Sequence, residues 1–413
     1  MKTLAIDPYQ ILFPLGLVHA FIGGLTWILY AFHKIDYPGQ LHANHMFTGF
    51  LLSFSAGFLL TAIPRFTGAP KCSPLELALA VSLSSITLFI PHPVFALAML
   101  FFLSFFFAKR FFIREYSPPP HFLFLPLGLF LGIVGAWFMT LAEIGWCNSS
   151  LFSLGKILLF YGTLLSFLLG IGAKLISALL GWTAPPSQTI ENFKNFSQTS
   201  AVDFHRWTVP VVQASLFFLG FIFEIFSYPS LGRGLRASCT AWIAIQNWRL
   251  YRLPRSKSKL SFWIWIAAWM LVIGLWTHCL FPALGLHAAH LIFIGGFGLI
   301  TLLVASRVTL AHGNHPLELE SQSRIFAMTS TFVILATITR FVSPWTPSYF
   351  QHLAYAAIMW IIAIFAWSAF FLPKIFLHSK SHSTLLLSVL QKVQDNSHRS
   401  QPIQKMDSSC TCE

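Results

Sequence analysis

Apolar windows of about twenty residues follow one another along almost the whole chain, and they fix the solvent before anything else. A helix of roughly 20 apolar residues crosses a bilayer core, because in lipid every backbone N–H and C=O must be satisfied within the segment itself. Such windows lie near 11–32, 42–63, 75–90, 93–108, 122–142, 151–173, 208–226, 231–250, 262–281, 287–308, 325–342 and 349–371. They predict an all-α, polytopic integral membrane bundle of about twelve transmembrane helices. With 56% hydrophobic and 9% charged residues, the chain lies outside the range of soluble domains. The third and fourth windows are short and meet at Pro91-His92-Pro93, so a hairpin that dips in and returns would lower the count to ten. The N-terminus lacks a small-residue cleavage site, which makes the first window a retained span.

Basic residues give the orientation. With the N-terminus inside, twenty of the 26 Lys and Arg fall on inner segments. Only Lys34, Arg233, Arg236 and Arg340 fall on outer ones, while Lys156 and Lys174 lie within spans. The positive-inside rule then places both termini in the cytoplasm. Basic loops against an anionic leaflet also account for the formal net charge of +13, with no nucleic-acid partner implied.

Residues 1–373 read as a single transmembrane domain, with halves 1–182 and 207–373 joined by an inner loop at 183–206. Residues 374–413 read as a disordered cytoplasmic tail. No sequence repeat supports duplication, so the halves rest on the span count alone. The six cysteines form no disulfide framework, and Cys410 and Cys412 lie in the tail, where a two-thiolate metal clip is the less favoured alternative.

Sixteen histidines in so apolar a chain are the main anomaly, because ionisable or coordinating groups at membrane depth are expensive and tend to mark function. His42, His45, His278, His287, His290 and His352 fall toward the outer ends of spans, His19 lies deeper, and His312 and His315 follow the tenth span. His42 with His45, and His287 with His290, share a spacing of three, which brings two imidazoles near one face of a helix. Imidazole ligates haem iron, copper or zinc, so these four, together with His312, are the candidate cofactor and metal ligands. If the second and tenth spans pack together, the four converge. For singletons such as His19, His92, His121, His205 and His352, an interfacial imidazole bonded to a carbonyl or water is the plainer reading.

Glu143 and Glu224 stand at the same outer level and are candidates to orient a ligand imidazole. Arg307, at the end of the tenth span, is a further supporting candidate, although it and Lys174 suit snorkelling to headgroups better. Gly49, Gly57, Gly295, Gly296 and Gly298 lie below the histidine pairs and suit close helix packing, with room for a flat macrocycle as the alternative.

Two blocks carry a family resemblance. The first runs Leu41-His42-Ala43-Asn44-His45-Met46-Phe47-Thr48-Gly49-Phe50 and continues at Gly57-Phe58-Leu59-Leu60-Thr61-Ala62-Ile63-Pro64-Arg65-Phe66-Thr67-Gly68. The second is His287-Ala288-Ala289-His290 with the glycines after it, then Ser306-Arg307-Val308-Thr309-Leu310-Ala311-His312-Gly313. Both resemble the NnrS family. Members often read His-Ala-His-Glu-Met where this chain reads His42-Ala43-Asn44-His45-Met46, which moves one ligand position. The resemblance implies a bacterial inner-membrane protein that contains haem and copper and is associated with nitric oxide metabolism and protection from nitrosative stress. It implies no particular reaction and no particular redox partner.

A secondary transporter of a small solute or metal complex is the alternative, since about twelve spans can alternate access, yet no broken helices flank a midplane charge pair. A haem-copper oxidase or nitric oxide reductase catalytic subunit is rejected. No two histidines are adjacent, and the only His-Pro pairs are His92-Pro93 and His315-Pro316.

Overall fold

The structure is a computed structural model that describes residues 6–183 and 205–377. Most of the inner loop and nearly all of the tail, with Cys410 and Cys412, lie outside the described residues. Among those residues there is no strand, and the principal helices stand where the apolar windows place them. They are α1 (Tyr9–Ala31), α2 (Gly39–Thr67), α3 (Pro74–Phe89), α4 (Pro93–Phe112), α5 (Pro120–Glu143) and α6 (Ser149–Leu179). The remainder are α7 (His205–Ile225), α8 (Pro229–Gln246), α9 (Lys259–Leu280), α10 (Pro282–His312), α11 (Ile325–Val342) and α12 (Tyr349–Phe376).

Ten of the described helices are long and apolar enough to cross a membrane, by length and composition. The other two principal helices fall short for different reasons. Helix α3 has 16 residues, which at about 1.5 Å per residue is less than a core of roughly 30 Å. Helix α8 carries Arg233 and Arg236, which depress its hydropathy.

The α3–α4 hairpin nevertheless reaches between the two ends of the bundle. Ser73 and Glu76 form a reciprocal cap at the start of α3, and Arg110 at the end of α4 donates to both Glu76 carboxylate oxygens at 2.6 Å. At the hairpin's tip, Asn44 Nδ2 donates to the Pro91 carbonyl at 2.5 Å, and His92 Nε2 meets Glu143 at 2.9 Å. Pro93 occupies the first turn of α4 behind a His92 cap, so the chain breaks at this tip because proline cannot continue the preceding helix.

Helices α1 and α12 pack together and bring the two ends of the fold side by side. Trp360 Nε1 donates to the Ala20 carbonyl at 3.1 Å, and Gln10 Nε2 to the Ile375 carbonyl at 2.8 Å. Helices α2, α6 and α10 are the longest, with 29, 31 and 31 residues, and are the most enclosed. They recur at every fourth helix. Each contains one π-helical stretch, His45–Leu51, Ile157–Thr163 and Leu291–Gly298. Bonds from i to i+5 widen the turn there and shift the phase of every side chain that follows, a device concentrated at functional sites.

Candidate functional site

The three π-helical stretches border one cavity of about 640 Å³, within the span of roughly 300–1,000 Å³ that suits a small-molecule or cofactor site. Its walls are largely apolar, with Trp27, Phe47, Phe50, Phe160, Phe293 and Trp360 among them. Phe47 and Phe160 stack with ring centroids 4.1 Å apart, and Phe50 meets Trp360 edge-on at 5.5 Å. Helices α2 and α10 each contribute one histidine to the lining, His42 and His290.

Those two imidazoles are prepared in the same way. His42 Nδ1 lies 2.8 Å from the Gly23 carbonyl, and His290 Nδ1 lies 2.7 Å from the Leu286 carbonyl. A carbonyl only accepts, so each Nδ1 carries the proton and donates it. The Nε2 lone pair is left available to a guest in the cavity, the tautomer that a backbone carbonyl imposes on metal-binding histidines. Trp27 packs edge-on against the His42 ring at 5.7 Å and limits its rotation.

The other member of each pair faces elsewhere. His45 is buried with its Nδ1 3.0 Å from His19 Nδ1, and His19 Nε2 reaches the Ser84 carbonyl at 3.0 Å and Thr87 Oγ1 at 3.2 Å. The Ser84 carbonyl fixes the His19 proton on Nε2, so His45 Nδ1–H donates to His19 Nδ1. His287 is buried and its Nδ1 accepts from Arg340 at 2.9 Å. Positions three apart on a helix differ by about 60° around its axis, and that is enough to split each pair between the cavity and a neighbouring helix. Convergence of four imidazoles is therefore reduced to two.

The supporting candidates are engaged away from this cavity. His312 lies at the far end of α10, roughly 30 Å from His290 at about 1.5 Å per residue. There its Nε2 accepts from Arg65 at 3.1 Å and its Nδ1 approaches Asp7 at 3.8 Å. That second distance is an electrostatic approach, too long for a hydrogen bond. Glu143 is taken by His92, Glu224 by Arg233 at 3.3 Å and Arg236 at 2.5 Å, and Arg307 by Glu320 at 2.7 Å. None of Glu143, Glu224, Arg307 or His312 lines the cavity.

The glycines below the histidine pairs serve packing. A Cβ on Gly295 or Gly296 would press into Met270 or Leu271 of α9, and one on Gly49 would collide with the His19 ring.

Two residues that sequence reasoning left aside do line the cavity, Arg340 and Lys156. Arg340 is buried and held by neutral groups, donating to His287 Nδ1, to Ser343 Oγ at 3.0 Å and to Tyr349 Oη at 3.2 Å. Its position as a lone cation among the apolar residues of α11 is the sequence signal that could have found it.

The family model described as NnrS protein matches residues 3–378. No curated protein matches the chain. A match over nearly the whole length, on a helical bundle with this many candidate membrane spans, assigns the chain: it belongs to the NnrS family.

Proposed function

We propose that the cavity between α2, α6 and α10 would accommodate a haem, that His42 and His290 are the residues that would hold it, and that this protein, in the bacterial inner membrane, handles nitric oxide in that way. The observation that carries the reading is the matched pair of imidazoles. Two histidines from distant helices enter one largely apolar space, each with Nδ1 committed to a carbonyl and Nε2 available. A flat macrocycle suits an apolar space bordered by Trp and Phe rings, and neutral imidazole is an ordinary ligand of haem iron. When bound, reduced haem iron supplies an affinity for nitric oxide, an apolar gas that partitions into bilayers.

The chain's own contribution is orientation and exclusion. Gly23 and Leu286 hold both imidazoles in the ligating tautomer, Trp27 fixes one ring, and the apolar wall keeps water from the guest. Copper fits less well. Among the described residues no three His, Cys, Asp or Glu side chains converge, so no step is derived through copper. The transporter alternative is not favoured, because α2, α6 and α10 run on through their π-helical stretches rather than breaking at a binding site.

The test is an optical spectrum and metal analysis of the detergent-purified protein, expressed with haem synthesis and copper supplied. The expected result is about one haem per chain and a Soret band that moves when nitric oxide is added to the reduced protein. A protein that carries no haem under these conditions contradicts the proposal.

A further inference from the structure

The cavity wall has an unbalanced charge. Arg340 and Lys156 line it, and among the described residues no Asp or Glu does. The other buried arginines show how unusual this is. Arg110 is buried against Glu76, and Arg236 against Glu224. Arg340 is 5% exposed, yet its guanidinium has only a histidine, a serine and a tyrosine as partners among the described residues. A buried cation without a counter-charge is strongly disfavoured unless something else in its site supplies one. Among the described residues Lys156 likewise has the Phe152 ring, 4.8 Å from its ammonium, and no carboxylate partner.

The neighbours hold the Arg340 guanidinium in place. His287 and Ser343 accept from Nη1 and Tyr349 from Nη2, which anchors a planar donor fork at the edge of the cavity. Such a fork matches a carboxylate better than a point charge does. This also gives His287 a role: it positions the arginine while His290, three residues on, faces the guest.

From this we infer that Arg340 is a carboxylate-binding residue of the cavity, with Lys156 as a second cation, and that the carboxylates it takes belong to the bound macrocycle. The inference rests on the proposed haem site. On that reading His42 and His290 would hold the group, and Arg340 would take its carboxylates.

The test uses the full chain purified without haem and titrated separately with haem and with haem dimethyl ester, whose carboxylates are blocked. Binding is followed by absorbance. The wild type is expected to bind haem about tenfold more tightly than the diester or better, as for loss of a charge-assisted pair. R340Q removes most of that preference while the diester binds as before, and R340K retains part of it. K156Q gives a smaller loss and serves if R340Q does not fold. Equal affinity of the wild type for haem and diester overturns the inference and leaves the haem site standing; a small free anion is then the partner of Arg340. Failure to bind either porphyrin overturns the haem site and this inference with it.

Discussion

The two ends of helix α10 make opposite use of histidine. At one end His290 faces a cavity with a ring nitrogen to spare, close to an arginine that has no carboxylate. At the other, His312 is enclosed in a knot with Asp7, Arg65 and the Tyr9 ring, and Lys71 adds a second cation 3.8 Å from Asp7. The cations of the knot have a carboxylate to meet, Asp7, whereas those lining the cavity have none among the described residues. Histidine content alone therefore does not mark a site at membrane depth; unspent valence does. The knot ties the start of α1 to the ends of α2 and α10, a structural task, whereas the cavity holds two imidazoles with Nε2 uncommitted and an arginine with no acidic partner among the described residues.

The largest expected effect separates members of the two histidine pairs. His42→Ala or His290→Ala should lower haem content in the purified protein about tenfold or more, since each removes an imidazole that would hold the group. His45→Ala should leave haem content close to wild type, as measured by pyridine haemochrome. Equal losses at positions 42 and 45 would erase the distinction drawn between cavity and packing histidines.

His45→Ala should instead act on stability. It leaves the buried His19 Nδ1 without its donor, at a cost of about 1–3 kcal/mol, read as a lower midpoint of thermal unfolding in detergent. Gly49→Ala should act on the same pair from the other side, by forcing the His19 ring out of place; overpacking of this kind costs about 1–3 kcal/mol.

The knot should give the smallest effect, and one that depends on pH. The His312 imidazole, then Lys71 and Arg65, outweigh burial and hold the Asp7 carboxyl below its usual value of 3.8. A depressed carboxylate stabilises the fold above its unfolded pKa and loses that contribution as pH falls through the folded value. The wild type should therefore lose stability below about pH 4 in excess of Asp7→Asn. The side chain is partly exposed, so the difference should be about 1 kcal/mol or less. Thermal midpoints of both proteins between about pH 6 and pH 3 check this, and parallel curves would remove Asp7 from the knot.

Helix placement is legible in this sequence because hydropathy is local: a window of apolar residues needs no neighbour to declare itself a span. The exceptions have the same physical origin. Helix α8 reads as a span until Arg233 and Arg236 are counted, and α3 runs out of length at Phe89. The candidate cavity was half legible. Helices α2 and α10 were identified by their histidines, but which imidazole of each pair meets the cavity depends on a rotation of about 60°. The neighbouring helices set that rotation, His19 for His45 and Arg340 for His287. The π-helical stretches that bring Phe47, Phe160 and Phe293 onto one wall have no signature in composition. Arg340 was visible only as one of four outer cations, and its lack of a counter-charge appears only once its surroundings are known.

The most direct measurement is a cryo-electron microscopy map of the purified, haem-loaded protein. Planar density within the cavity, in contact with His42 and His290 and with His45 turned toward His19, is the result this account predicts. Side-chain density filling the space between those two rings, or haem density held by other residues, would contradict it.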